Sequence, residues 1–288
     1  QSISCMFNPM TAGDQGWNLS PSAEPVNVVV AGGGPAGLMA AWMIAKKGHH
    51  VTLLEEGAVP GGQLRLAAVP PYKQDFTRVI QYYITMCKKY GVNLRFGVKA
   101  DGAVIRDMNP DAVVIATGSR PIVPDIPGLD TVRTVSAHDI LAGTEIIAGE
   151  KCLIIGGGMV SVETADFLLN YQNKITIVDM LPSIGAGENP KIAYYQRERF
   201  RRHSVRLIPN CKVTAVNQKE IFCESNGETI VLTADVAVLA AGSRPDCNLE
   251  EELVQGGLEK IYKIGDCVKT GKAGDAIMQA AKLASECF

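Results

Sequence analysis

The stretch VNVVVAGGGPAGLMAAWMIAKKGHHVTLLEE, residues Val26–Glu56, decides the fold of this chain. An apolar run leads into a turn dense in glycine, a helical segment follows, and a second apolar run ends at an acid. The glycines have the spacing Gly32-x-Gly34-x-x-Gly37, and Glu55 lies about 20 residues further on, as a dinucleotide-binding fold requires. The stretch therefore predicts a strand, a phosphate-binding turn, a helix and a second strand.

Each part of this turn has a physical role. Gly32 permits the tight exit from the first strand, Gly34 lets the backbone approach a pyrophosphate, and Gly37 allows close helix packing because it has no Cβ. The helix that begins near Pro35 directs its free N–H groups and the positive end of its dipole at the phosphates. We expect Glu55 to accept hydrogen bonds from a ribose.

Composition disfavours several classes of function. The 288 residues include 28 Lys and Arg against 30 Asp and Glu, so no basic face for nucleic acid or an anionic membrane surface is predicted. The uncharged run Val28–Ala45 is long enough to span a membrane, but three consecutive glycines and a proline interrupt it, which favours the nucleotide fold. The N-terminal residues lack the basic start and apolar core of a secretory signal.

The cysteines and histidines predict neither a disulfide framework nor a metal site held by this chain alone. Eight cysteines are scattered without a C-x-x-C pair, which is typical of a reduced, cytoplasmic protein, and the four histidines form no cluster. The chain also lacks an initiator Met, from which we expect a fragment or a processed product.

The stretch KCLIIGGGMVSVETADFLLNYQNKITIVDM, Lys151–Met180, repeats the opening design. An internal repeat of this kind predicts a second nucleotide fold. The matched positions, each displaced by 124 residues, are Gly32 and Gly156, Gly37 and Ser161, and Glu55 and Asp179.

Both halves end in the same strand-to-glycine turn, IATGSRP at 115–121 and AVLAAGSRP at 237–245. The final segment supplies one strand, the Gly265-Asp266 pair and a closing helix, which are too few to form a domain and are expected to complete the first fold. We therefore predict an α/β protein with tandem Rossmann-like folds, the second inserted into the first. The predicted parts are a linker at 1–25, a first domain at 26–130 and 243–288, and a second domain at 131–242.

This order of motifs resembles the flavoproteins with two dinucleotide-binding domains, of the glutathione-reductase-like type. The resemblance covers nearly the whole chain from Val26 onward, and it implies FAD in the first fold and NAD(P)H in the second. The residues expected to bind FAD are Gly32, Gly34, Pro35, Ala36, Gly37, Glu55, Glu56, Gly62, Gln63, Ala116, Thr117, Gly118, Gly265 and Asp266. Those expected to bind NAD are Gly156, Gly158, Met159, Val160, Ser161, Asp179, Ala241 and Gly242.

NADH is favoured over NADPH by Asp179. A carboxylate at the end of this strand accepts hydrogen bonds from a ribose 2'-hydroxyl and repels a 2'-phosphate. The residues that follow it, MLPSIGAG, offer no Arg to neutralise such a phosphate.

The N-terminal SCMFNP resembles the end of the iron–sulfur segment in the 2,4-dienoyl-CoA reductase, trimethylamine dehydrogenase and 2-enoate reductase family. In that family an Old Yellow Enzyme-like FMN barrel and four cysteines precede the tandem module. Cys5, followed by Asn8 and Pro9, fits the last cysteine ligand, with a plain linker cysteine as the alternative. The barrel and the other three ligands are absent from this chain, so a 4Fe-4S cluster and FMN are expected only in a parent or partner portion.

The resemblance implies an FAD-dependent NADH oxidoreductase module that passes electrons to such a barrel, in cis or as a separate subunit, for reduction of an activated C=C bond. A homo-oligomeric parent enzyme is expected. Two alternatives remain: a non-redox scaffold that holds ADP, and a thioredoxin-reductase-like disulfide reductase, which the lack of paired cysteines disfavours. Hydride transfer between cofactors requires orientation and exclusion of water but no acid–base side chain, so no catalytic residue is predicted.

Overall fold

The computed structural model describes residues 5–11 and 17–288, which form two compact units. The first unit consists of the residues up to Ala68 together with Asp75–Arg120 and Arg244–Phe288. The second unit consists of Val69–Gln74 and Pro121–Ser243. Along the chain, the second unit is therefore inserted between parts of the first.

Strands and helices alternate through much of the described chain, as is typical of parallel α/β folds. The strands are β1 (Asn27–Ala31), β2 (His50–Glu55), β3 (Asn93–Phe96), β4 (Ala112–Ile115), β5 (Ser119–Pro121), β6 (Arg133–Ser136), β7 (Lys151–Ile155), β8 (Lys174–Val178), β9 (Arg206–Ile208), β10 (Cys211–Asn217), β11 (Glu220–Ser225), β12 (Glu228–Thr233), β13 (Val236–Leu239), β14 (Ser243–Pro245) and β15 (Ile261–Lys263). The α-helices are α1 (Pro35–Lys46), α2 (Gln63–Ala67), α3 (Phe76–Lys89), α4 (Gly102–Asp107), α5 (Ala137–Ala142), α6 (Met159–Leu168), α7 (Pro190–Arg202), α8 (Leu249–Gln255) and α9 (Ala273–Cys287).

The sheet of the first unit has the parallel strand order β15-β4-β1-β2-β3. Successive residues of β1 face opposite sides of this sheet, and both sides are covered. Val28 and Val30 belong to one core cluster, while Val29 and Ala31 belong to another. The last strand, β15, pairs in parallel with β4, so the end of the chain completes the first sheet.

The second unit repeats this architecture with the parallel strand order β6-β13-β7-β8-β9. It adds an antiparallel sheet of β10, β11 and β12. The turn between β11 and β12 is formed by Asn226 and Gly227, both at positive φ, as a two-residue hairpin requires. The predicted fold class of tandem Rossmann-like folds is confirmed.

Two segments lie in the second unit although the sequence-based boundaries put them in the first domain. In residues 121–130, Ile126 and Leu129 pack against a core cluster of the second unit. In Val69–Gln74, Lys73 forms an ion pair with Glu163 of α6. Apolar packing and an ion pair therefore attach these segments to the second unit.

Part of the predicted N-terminal linker packs against the first unit. The side chains of Trp17 and Leu19 contact its core cluster. The backbone N–H of Asn18 donates to the hydroxyl of Ser285 in α9 at 2.7 Å. These residues are therefore held by the fold rather than extended from it.

Helix α1 is the central element of the first core. Every residue from Ala36 to Ala45 is buried, and both α3 and α9 pack against the helix. Trp42 is 2% exposed and stacks on Tyr90 with 6.0 Å between ring centroids. No helix in the described residues is both long enough and apolar enough to cross a membrane.

Replacing Gly37 with Ala is expected to lower the free energy of unfolding by about 2 kcal/mol, because the new Cβ would overlap the carbonyl oxygen of Gly32. Gly34→Ala in the same turn is the matched control. No atom lies within 4 Å of a Cβ built on Gly34, so this change is expected to cost less than about 1 kcal/mol. Chemical denaturation without added nucleotide measures both changes, and equal losses would contradict the assigned contact.

Candidate nucleotide-binding sites

The first glycine turn is built from close backbone contacts around one open position. Gly32 has a φ of +110°, and its N–H donates to the carbonyl oxygen of Leu54 at 2.8 Å. A Cβ on Gly32 would overlap the carbonyl oxygen of Ala116, so only glycine fits. Gly34, the N-cap of α1, has free space where a Cβ would lie, and no acidic residue occupies the first turn of the helix. The turn therefore leaves room and free N–H groups for an anion.

Glu55 lies at the end of β2, beside this turn. One carboxylate oxygen accepts from the N–H of Gly33 at 2.7 Å, and the other accepts from the N–H of Gly57 at 2.7 Å. The acid is thus held next to the first glycine turn. Glu56, also expected at the site, is exposed.

Two segments distant in sequence converge on the start of α1. A Cβ on Gly62 would lie 3.0 Å from the Cα of Gly34, and a Cβ on Gly265 would lie 3.0 Å from the Cβ of Ala36. These glycines bring Gln63 and Asp266, the residues that follow them, to the turn. The expected FAD-site residues Gly62, Gln63, Gly265 and Asp266 therefore approach the same helix end as Gly34, Pro35 and Ala36.

Ser119 joins this group and was not predicted from the sequence. The side-chain amide of Gln63 donates to the hydroxyl of Ser119 at 2.8 Å and to its backbone carbonyl at 3.2 Å. The Ser119 hydroxyl lies 3.4 Å from a carboxylate oxygen of Asp266. The repeated GSRP motif marked this position in the sequence, but nothing local indicated its partners.

The strand-to-glycine turn at Ala116–Gly118 is held by hydrogen bonds to Asp246, which lies more than 120 residues later in the sequence. The Thr117 hydroxyl donates to the carbonyl oxygen of Asp246, and the Asp246 N–H donates to the carbonyl oxygen of Gly118 at 3.0 Å. Arg120 forms an ion pair with the Asp246 carboxylate at 2.6 Å. This hydrogen bond to Asp246 raises the pKa of the Arg120 guanidinium.

The second glycine turn reproduces the first. Gly156 has a φ of +112°, and a Cβ on it would overlap the carbonyl oxygen of Ala240. Gly158 caps α6 and has open space at its Cβ position. Asp179 accepts from the N–H groups of Gly157 and Leu181.

The other expected NAD-site residues surround this turn. Ser161 is fully buried, and its hydroxyl lies 3.4 Å from the carbonyl oxygen of Ala240. Met159 begins α6, and Val160 is 42% exposed. The turn after β13 contributes Ala241, whose Cα would lie 3.1 Å from a Cβ on Gly156, and Gly242, whose φ is +94°.

Cys5 lies beside helix α3 of the first unit. The hydroxyl of Tyr83 donates to the carbonyl oxygen of Met6, and the rings of Phe7 and Tyr82 pack edge to face with 5.6 Å between centroids. These contacts attach the segment around Cys5 to the fold. The described residues contain no group of three or more His, Cys, Asp or Glu side chains that could hold a metal ion.

The structure brings two thiols together that the sequence did not pair. Cys211 and Cys223 lie on the adjacent strands β10 and β11, and both are buried. Burial raises the pKa of both thiols, that of Cys223 to about 12. Because the thiolate is the reactive form, this pair is poorly suited to exchange with a disulfide substrate.

The comparison with protein families agrees with the two glycine turns. Residues 26–285 match the model of the pyridine nucleotide-disulphide oxidoreductase family. The chain belongs to this family. Members are oxidoreductases, so the chain is assigned to that class of enzyme.

Individual proteins are similar to this chain over most of its length. It is 33% identical to a metal reductase of Desulforamulus reducens, an alignment that covers 96% of this chain and 46% of that protein. It is 34% identical to a bilirubin reductase of Mediterraneibacter gnavus, with 92% and 41% covered. The solved complex of 2-naphthoyl-CoA reductase with 2-naphthoyl-CoA matches with a TM-score of 0.91 and 28% identity, covering 98% of this chain and 43% of that one.

The chain therefore spans less than half the length of these relatives. The family relationship predicted from the motifs, to the tandem module of Old Yellow Enzyme-like reductases, is confirmed.

Thiol labelling tests the environment of the cysteines. At about pH 8, alkylation of the native chain is expected to modify the exposed Cys287 and the half-buried Cys247. Cys87, Cys152 and Cys223 should stay unmodified, because burial raises each pKa to about 12 and keeps the thiol protonated. Peptide mass spectrometry identifies the modified residues. Rapid labelling of Cys223 would contradict the buried assignment and reopen the disulfide-reductase alternative.

Proposed function

We propose that this chain is an FAD-dependent NADH oxidoreductase module, with FAD on the first unit and NADH on the second. The observation that carries the proposal is the convergence of Gln63 and Asp266 on the open N-terminus of α1. These two side chains extend the first site beyond a turn that would suffice for a simple nucleotide.

The polar groups of the first unit fit FAD part by part. Glu55 is placed for ribose hydroxyls, and the open space at Gly34 lies at the dipole end of α1, where a pyrophosphate is favoured. Gln63 and Asp266 follow the glycines that pack on Gly34 and Ala36, and in this proposal they bind the flavin-bearing part of the molecule. When bound, FAD would supply conversion between two-electron hydride chemistry and one-electron transfer.

The residues of the chain contribute binding and orientation. The close contacts at Gly32 and Gly37 set the turn before any ligand arrives, so little backbone ordering is needed on binding. The buried length of α1 holds the phosphate-binding end fixed on the core. In this proposal, each unit binds and orients its own cofactor, and hydride transfer needs no acid–base side chain.

The wider role rests on the longer relatives and on Cys5. We propose that the electrons pass to a 4Fe-4S cluster and an FMN barrel, in cis or in a partner subunit, for reduction of an activated C=C bond. Cys5 would supply one cluster ligand, and its segment is already attached to α3 through Tyr83 and Phe7. A homo-oligomeric assembly and a cytoplasmic location complete this proposal.

Reconstitution is the direct test of the function. The purified chain, incubated with FAD and freed of excess, is expected to retain about one flavin per chain, and anaerobic NADH should bleach its visible absorption. Gly34→Ala is expected to abolish or strongly weaken FAD retention, since the new methyl group occupies the space for the pyrophosphate while the fold persists. A folded chain that binds ADP but retains no FAD would favour the non-redox scaffold instead.

The preference for NADH is expected to depend on Asp179. Removing its charge in Asp179→Ser removes repulsion of a 2'-phosphate and also a hydrogen-bond acceptor for the 2'-hydroxyl. The ratio of kcat/KM for NADH to that for NADPH should fall by about tenfold or more, a change of about 1.4 kcal/mol. Stopped-flow flavin reduction measures this ratio. Glu228→Ser, at an exposed carboxylate of the same unit, is the matched control, and an equal fall there would show a nonspecific charge effect.

A further inference from the structure

The Gln63–Ser119–Asp266 chain of hydrogen bonds has a fixed direction. Gln63 uses its amide nitrogen for both contacts to Ser119, at 2.8 Å to the hydroxyl and 3.2 Å to the backbone carbonyl. An ionised carboxylate only accepts, so the Ser119 hydroxyl accepts from Gln63 and directs its own proton to Asp266, 3.4 Å away. The second oxygen of Asp266 accepts from the N–H of Gly271 at 3.1 Å. Ser119 thus joins two residues that are more than 200 positions apart in sequence.

This direction decides which groups the site offers to a ligand. Because the Gln63 nitrogen faces Ser119, its carbonyl oxygen is turned away from Ser119, and the Asp266 carboxylate is also an acceptor. Two acceptors beside the helix end favour a ligand with hydroxyl or N–H donors. They oppose a further phosphate, since phosphate oxygens are acceptors and carry the same charge as Asp266.

We propose that Ser119 is a positioning residue that makes the first site selective for FAD over ADP. It does so by holding the Gln63 carbonyl oxygen and the Asp266 carboxylate toward the donor groups of the flavin-bearing part of FAD. This inference rests on the proposed FAD function and deepens it. ADP ends at its phosphates. It can therefore contact Glu55 and the turn at Gly34, but it has no donor groups beyond the phosphates to bind Gln63 or Asp266.

The two copies of the fold support a specific role for Ser119. Ser243 occupies the equivalent position of the second repeat, 124 residues later, within the same GSRP motif. Gln63, the donor to Ser119, comes immediately after the left-handed Gly62 that packs on Gly34. The residue 124 positions later is Gly187, which has no side-chain amide. The proposed positioning role of Ser119 therefore depends on its partners Gln63 and Asp266, and the GSRP sequence alone does not confer it.

The test compares FAD and ADP affinities of the full chain by isothermal titration calorimetry. Ser119→Ala removes the hydroxyl, and we expect FAD affinity to fall about tenfold while ADP affinity stays within about twofold of the unmodified chain. Ser119→Thr keeps the hydroxyl and should restore most of the FAD affinity. Ser243→Ala is the matched control and should leave both affinities within about twofold.

A double-mutant cycle separates positioning from a general structural effect. In a Gln63→Ala background, the additional loss of FAD affinity from Ser119→Ala should shrink to about threefold or less. The reason is that Ser119 then has no Gln63 side chain to position. Thermal unfolding without nucleotide should show the same midpoint for Ser119→Ala as for the unmodified chain.

The role of Ser119 and the proposed FAD function are refuted by different results. Equal losses of FAD and ADP affinity, or fully additive losses in the double variant, would refute the selective role of Ser119 while leaving the FAD function standing. Unchanged FAD affinity in Ser119→Ala would do the same. Failure of the unmodified chain to bind FAD would refute the proposed function, and with it the inference.

Discussion

The close backbone contact between Gly37 of α1 and Gly32 at the end of β1 is the constraint on which the first site depends. A Cβ at Gly37 would overlap the carbonyl oxygen of Gly32, so the helix can lie this near the strand only because glycine is present. The Gly32 N–H in turn bonds to Leu54 of the neighbouring strand. These contacts fix where the N-terminus of α1 lies, and Gly34 is left as the open position on it.

The second copy shows how this constraint can be relaxed. Ser161 stands at the position of Gly37, and the fold accommodates its Cβ while its hydroxyl approaches the carbonyl oxygen of Ala240. Asp179 bonds to the glycine turn as Glu55 does, so the acid and the turn are retained in both copies. The copies differ most in what surrounds the turn. The first receives Gln63 and Asp266 from other segments, and this difference supports the proposal that they hold different nucleotides.

The parts of the fold that could be predicted are those encoded by local spacing. The glycine turns, the buried helix α1, the amphipathic helix α3 and the Asn226-Gly227 hairpin each follow from residues within one short window. The family relationship also followed from motif order, and the family match confirms it. The short helices α4 and α8 were not predicted, because six or seven residues are too few for a helical period to stand out.

The parts that could not be predicted depend on contacts between distant segments. Ser119 lies 56 residues from Gln63 and 147 from Asp266, and no pattern around it indicates either partner. The ion pair that attaches Lys73 to Glu163 spans 90 residues, and it explains why Val69–Gln74 packs with the second unit. Tertiary packing determines such contacts, and the local periodicity of a single sequence does not predict them.

We propose that the two similar turns bind two different nucleotides, FAD on the first and NAD on the second. Native mass spectrometry of the chain incubated with both FAD and NAD⁺ tests it most directly, with Gly34→Ala and Gly158→Ala assigning each ligand to its turn. A mass increase of one FAD and one NAD⁺ per chain is expected, with loss of only FAD in the first variant and only NAD⁺ in the second. Two identical nucleotides per chain, or loss of the opposite ligand in either variant, would contradict it.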